Sequence, residues 1–124
     1  MVAIESFAAG VPIIGTATDG LPEIVVNGVN GICIQPCWSA VEFQKNMSLP
    51  ATFLQDVSYN PDTDALEAQK SLAVMDLVNA IESLINNPKH YREMSAAALE
   101  TAKSIKPFSQ LVDEILISVQ KAIP

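Results

Sequence analysis

Cations are scarce in this chain: seven Lys and Arg stand against 14 Asp and Glu, giving a net charge of -7 and a pI near 4.4. Phosphate binding rests on clustered Lys and Arg, and the seven are scattered, so a nucleic-acid partner is excluded and an anionic membrane surface disfavoured. Cysteine is equally sparse. Cys33 and Cys37 are too few and too close to define a secreted disulfide framework. With His90 the lone histidine, a zinc site would need a carboxylate to complete its four ligands, so no metal and no cofactor are expected. No run approaches the roughly 18 apolar residues of a membrane span. The first residues lack the basic region and cleavage signal of a secretory peptide. These absences predict a cytoplasmic chain with no transmembrane segment. Internal repeats, low-complexity tracts and Gly/Ser linkers are also missing. His90 has no Ser/His/Asp or Cys/His set around it, so no catalytic residue is assigned. Trp38, the single tryptophan, is assigned to packing.

What is present suffices for a folded domain. Of 124 residues, 49% are hydrophobic and 17% charged, enough apolar surface to offset the entropy of ordering one domain or a piece of one. Val2, Ala3, Phe7 and Ala8 surround Glu5, and Gly10 follows, which predicts a short helix ended by a glycine able to take positive φ. Val11-Pro12-Ile13-Ile14-Gly15 is apolar on consecutive positions and bounded by glycines, as in a strand buried on both faces of a parallel sheet, with Pro12 at its start. Thr18 to Glu23 predicts a loop turning into a second short helix with Pro22 in its first turn. Asn27-Gly28 and Asn30-Gly31 are turn signals, and Ile32-Cys33-Ile34 is a second brief strand ending at Pro36.

Residues 37–69 are harder to read. A partial helix is expected near Ala40 to Met47, and Ser58-Tyr59-Asn60-Pro61-Asp62 reads as a turn or loop. From Leu72 the apolar period returns. Val74, Leu77, Val78, Ile81, Leu84 and Ile85 fall on one helical stripe, and Asn87-Pro88 stops that helix and starts the next. Tyr91, Met94, Ala98, Ala102 and Ile105 then share a face, closed by Pro107. A last helix from about Ser109 carries Val112, Ile115, Leu116, Val119 and Ile123. Two buried-type strands followed by amphipathic helices predict an α/β class with a partial, Rossmann-like parallel sheet. Such sheets normally have about five or six strands, so part of this one is expected to lie elsewhere. No strand is followed by a Gly-x-Gly-x-x-Gly turn, which sets aside a redox dinucleotide module.

The series Glu5-Ser6-Phe7-Ala8-Ala9-Gly10-Val11-Pro12-Ile13-Ile14-Gly15-Thr16, then Gly20-Leu21-Pro22-Glu23-Ile24-Val25, then Gly28, Asn30-Gly31 and Pro36, resembles the retaining GT-B glycosyltransferases of the group 1, or family 4, type. The resemblance returns at residues 80–95, where Asn86-Asn87-Pro88 precedes Tyr91-Arg92-Glu93-Met94, and at Phe108-Ser109. It implies the C-terminal part of a GT-B donor-binding domain over residues 1–124, with an atypical insert at about 37–70. It also implies sugar transfer from a nucleotide-diphosphate sugar with retention at the anomeric carbon. In that family two glutamates eight positions apart bracket the donor site. Glu5 matches the second, whose carboxylate accepts hydrogen bonds from the ribose hydroxyls.

The first glutamate, most of the phosphate-holding loop, and the basic residues that face the leaving diphosphate would precede Met1. The resemblance therefore implies an isolated chain without activity that needs its missing N-terminal portion or another chain. Gly10, Pro12, Gly20, Glu23 and Gly31 complete the motif as structural positions. Gly10 is read as the helix terminator, Gly20 as a turn where backbone passes closely, and Glu23 as a first-turn acid complementing its helix dipole. Asp19 stands where the family usually has another glycine. The alternative, from a different class, is a non-catalytic remnant acting as a protein-interaction or weak nucleotide-binding module. Under either reading, an incomplete sheet predicts self-association of the isolated chain.

Overall fold

The computed structural model describes residues 2–49 and 57–122. In chain order the elements are α1 (Val2–Ala8), β1 (Ile13–Thr16), α2 (Leu21–Ile24), β2 (Gly31–Ile34), α3 (Ala40–Met47), β3 (Val57–Asn60), β4 (Ala65–Ala68), α4 (Val74–Ile85), α5 (Pro88–Ser104) and α6 (Phe108–Ala122). The class is α/β. β1 and β2 pair in parallel, with Ile13 opposite Gly31 and Thr16 opposite Ile34.

α1 ends in a left-handed turn at Gly10, φ +70. The Gly10 N–H donates to the Phe7 carbonyl and the Val11 N–H to the Ser6 carbonyl, both at 2.9 Å. This is the paired closure of a Schellman motif, which satisfies the last carbonyls of the helix and reverses the chain. Pro12, with no N–H to donate, is buried just ahead of β1. Gly31 opens β2 because no side chain fits: a Cβ there would lie 2.6 Å from the Ile13 carbonyl oxygen and 2.9 Å from Val25 Cγ1.

Phe7, Val25 and Ala98 form the buried core, with Ile13, Leu21, Ile24, Cys33 and Ala102 packed against them. The core thus joins α1, α2, the parallel pair and α5. Met94, 1% exposed, extends the buried face of α5. Small residues at Ala98 and Ala102 bring α5 close over the layer. Polar ties lock it there: the Ser95 hydroxyl donates to the Gly10 carbonyl at 2.6 Å.

Between the two halves lies an excursion closed at its stem by a backbone bridge. The Trp38 N–H donates to the Ser71 carbonyl at 2.9 Å and the Ser71 N–H returns to the Trp38 carbonyl at 2.8 Å. α3 begins with a capping box, in which Ser39 accepts from the Glu42 N–H while the Glu42 carboxylate accepts from the Ser39 N–H. Those bonds from Ser39 hold the Glu42 carboxyl below the usual carboxylate range. β3 and β4 form an antiparallel hairpin, Val57 opposite Ala68 and Asn60 opposite Ala65. This hairpin corrects the expected loop at residues 58–62: Ser58, Tyr59 and Asn60 are strand, and the turn begins at Pro61. The physical reason is local. The Asn60 side chain accepts from the Asp62 N–H at 3.0 Å, and Asp64 takes φ +52, which folds the chain back within four residues.

The C-terminal helices follow the apolar period with two shifts. α4 starts at Val74 rather than Leu72, and α5 ends at Ser104 with Ile105 as its extended cap. Their stripes are only partly covered. On α4, Ala80 is buried, while Leu77, Ile81 and Ile85 are 38, 41 and 69% exposed. On α6, Ile115, Leu116 and Val119 stand half exposed, and Ile123 lies outside the described residues.

Candidate functional site

In open α/β sheets, ligands gather outside the carboxyl ends of the parallel strands. Here those ends are Ala17-Thr18 after β1 and Gln35-Pro36 after β2. The Ala17 N–H donates to the Ile34 carbonyl at 2.9 Å, carrying the ladder one residue past β1. Because the Schellman turn reverses the chain, the start of α1 lies toward this same end of the layer. Glu5 is in the first turn of α1 with its side chain exposed. Among the described residues no hydrogen bond or ion pair ties its carboxylate, which leaves both oxygens open to outside donors.

Asp19 sets the geometry beyond β1. It takes φ +53, a left-handed conformation that glycine reaches with less strain. Two bonds to the hairpin hold it there: its N–H donates to the Tyr59 carbonyl at 2.9 Å, and its carboxylate accepts from the Tyr59 N–H at 3.0 Å. Gly20 does not act as a close-passing turn. Its φ is -81 and an added Cβ would meet nothing within 4 Å. The left-handed residue is its neighbour Asp19, which takes over the turn. Glu23 sits in the first turn of α2, exposed. The Tyr59 hydroxyl donates to Asp64 at 2.7 Å. That bond, then burial, then the nearby Glu23 charge push the Tyr59 phenol above its ordinary pKa.

Against the carboxyl ends the hairpin borders a polar cavity of about 110 Å³, walled by Thr18 and Gln35 from the parallel layer, by Ser58, Asn60 and Glu67 from the hairpin and by Lys70 just after it. Gln35 also donates to Asp62 at 3.3 Å. Glu67 accepts from the Thr63 hydroxyl at 2.6 Å. With a further bond from Asn60 and the Lys70 charge, this keeps its carboxyl below the usual range. A second hollow, of about 360 Å³, is apolar and lies between β1 and the α4–α5 corner, lined by Ile14, Ile81, Leu84, Ile85, Pro88 and Tyr91.

Sequence reasoning missed one residue that holds this region in place. Asn30, read only as a turn signal, is 1% exposed. Its Oδ1 accepts from the Val26 N–H at 2.8 Å, and its Nδ2 donates to the Ile24 carbonyl at 3.1 Å and to Thr101 Oγ1 at 3.0 Å. It thereby fastens the α2–β2 connection to α5. Cys33 and Cys37 are free thiols, and burial raises the Cys33 thiol above its ordinary value. Among the described residues no group of three His, Cys, Asp or Glu could hold a metal ion, and no helix is long and apolar enough to cross a membrane.

The family described as glycosyl transferases group 1 matches residues 1–49. That segment contains α1, β1, α2, β2 and α3 and every motif position from Glu5 to Gly31. No curated protein and no solved structure matches the chain. Over that segment the chain is similar to the group 1 glycosyltransferases, and the parallel α/β layer lies within it.

Proposed function

We propose that this chain is the C-terminal part of the donor-binding domain of a retaining GT-B glycosyltransferase, taking its sugar from a nucleotide-diphosphate donor. The supporting observation is the family match over the same α1–β1–α2–β2 unit that carries Glu5, exposed in the first turn of α1. Glu5 binds the donor ribose: a carboxylate offers two acceptor oxygens to the two hydroxyl donors of a cis-diol. The chain is cytoplasmic and needs its N-terminal portion or another chain for catalysis, because no Lys or Arg stands among the motif residues from Glu5 to Gly31 to take up charge on a leaving diphosphate. The surface supports a partial unit. A compact monomer of 13.3 kDa exposes about 6,500 Å² by the scaling for folded proteins. This chain exposes 8444 Å², an excess roughly twice the ~800 Å² that each partner buries in a standard interface.

Titration calorimetry with UDP, GDP and ADP sugars tests the proposal. Each hydrogen bond to a carboxylate contributes about 1.5 to 3 kcal/mol. Glu5→Ala should therefore weaken binding about tenfold or more, while Glu23→Ala leaves it near the starting value. Equal affinities for the two variants would remove Glu5 from the site. No heat with any of the three donors would remove the donor site from this chain.

A further inference from the structure

We propose that two copies of this chain associate by exchanging their last helices, α6 of each copy seated in the apolar trough between β1 and the α4–α5 corner of the other. This goes beyond the ribose contact at Glu5 and stands without it. The chain carries both halves of a helix-in-groove contact and joins neither to itself. The trough, of about 360 Å³, is lined by Ile14, Ile81, Leu84, Ile85, Pro88 and Tyr91. Tyr91 supplies its one side-chain hydroxyl, whereas pockets for small molecules set several polar groups among apolar walls to orient the ligand. Aliphatic and aromatic side chains of a second helix suit such a lining better. On α6, Phe108, Leu111, Val112, Ile115, Leu116 and Val119 recur at i, i+3, i+4, i+7, i+8 and i+11, a stripe about 17 Å long. No residue of α6 is buried, and none lines the trough of its own chain.

The connection to α5 explains why. Ile105 is extended, with φ -72 and ψ 126, and only Lys106 and Pro107 separate it from α6. The Lys106 ammonium donates to both Glu114 carboxylate oxygens at 2.8 Å, which ties the second turn of α6 to this hinge. A short hinge that directs an apolar helix away from its own chain favours exchange between protomers. The exposed area fits a reciprocal contact. Its excess over a compact monomer is roughly twice the ~800 Å² that each partner buries in a standard interface. Exchange uses two patches per copy, one helix given and one trough received, where a single shared face would cover about half of that excess. Charge fits as well. Arg92, one turn beyond the lining residue Pro88, and Asp113, three positions before Leu116, are both exposed. Among the described residues neither forms an ion pair, and seating α6 on the α4–α5 corner brings Asp113 of one copy to the rim that holds Arg92 of the other.

Sedimentation velocity of the full chain and of two variants at exposed positions tests this. Ile85→Glu spoils the trough and Ile115→Glu spoils the helix, with circular dichroism melts to check that each stays folded. The wild type should form a dimer, and each variant alone should dissociate at least about tenfold more readily. Mixed in equal amounts, the two variants should associate again, because the first still offers an intact α6 and the second an intact trough. Packing of α6 against α6 would instead leave Ile85→Glu as dimeric as the wild type, and that result would overturn the proposal. So would no recovery on mixing, or a wild type that stays monomeric or grows past the dimer. Should either variant unfold, isotope-filtered NOEs between labelled and unlabelled wild-type copies decide. Methyl contacts from Ile115 or Leu116 to Ile14 or Ile81 of the other copy are expected, and the same contacts within one copy, or none, would refute the exchange.

Discussion

Replacing Asn30 removes three hydrogen bonds at one buried point, and the structure lets the cost be worked out before it is measured. Each bond contributes about 1 kcal/mol net, and leaving a buried partner unsatisfied costs about 1 to 3 kcal/mol. Of the groups left behind, Thr101 keeps its bond to the Ala97 carbonyl at 2.9 Å, while the Val26 N–H and the Ile24 carbonyl lose their Asn30 partners. Asn30→Ala should therefore cost about 2 to 4 kcal/mol, a large share of the roughly 5 to 15 kcal/mol that stabilises an ordinary domain. Asn30→Asp is the sharper probe because shape is conserved. Its carboxylate still accepts from Val26 but faces the Ile24 carbonyl with no proton to offer, so at pH 7 it should lose at least as much as alanine. Burial raises the folded-state pKa of that carboxyl above its unfolded value near 3.9. A raised pKa contributes stability that is present below the unfolded value and lost as pH rises through the folded one. The gap between Asn30→Asp and the wild type should narrow from pH 7 toward pH 4. Urea melts followed by circular dichroism at both pH values measure it. An alanine variant within about 0.5 kcal/mol of wild type, or a gap to the aspartate variant that ignores pH, would refute the reasoning.

Two further outcomes are expected. Asp19→Gly keeps the left-handed backbone at lower strain but loses the acceptor for Tyr59, whereas Asp19→Ala loses both advantages. Hydrogen exchange at the Tyr59 amide should accelerate in both, with the alanine variant about 1 kcal/mol less protected, and equal protection would mean that the backbone conformation there is not under strain. The isolated chain should self-associate through its uncovered apolar surface. Ile115 and Leu116 on α6 stand 54 and 53% exposed, and each of the two parallel strands has one unpaired edge among the described residues. Sedimentation velocity should show mass rising with concentration, less steeply in Leu116→Glu, and a monomer throughout the range would end that expectation.

Local chemistry was legible where it depends on near neighbours. Gly10 had to follow a short helix, because only a residue free to take positive φ closes the Ser6–Val11 and Phe7–Gly10 bonds there; the strand expected from Val11 to Gly15 is present but runs from Ile13 to Thr16 and is half-buried rather than buried on both faces, with Val11 exposed. The period of α4 and α5 was visible for the same reason. The β3–β4 hairpin was not, since Tyr59-Asn60-Pro61-Asp62 signals a turn while the pairing of Val57 with Ala68 depends on residues far along the chain. The Gly20 reading failed similarly: sequence marks a turn at Asp19-Gly20 but not which residue takes the left-handed place. That was decided by the bonds from Tyr59.

The sequence by itself determined the α/β class, the family likeness of its first third, and the position of Glu5 on an N-terminal helix, because these rest on period, turn residues and motif spacing. Tertiary structure alone decided that Asn30 is a buried fastener, that Asp19 docks the hairpin, and that Glu67 and Lys70 share a cavity with Thr18 and Gln35. Those pairings join residues 32 to 71 positions apart, and no local preference encodes which distant side chains a folded layer brings within hydrogen-bonding reach.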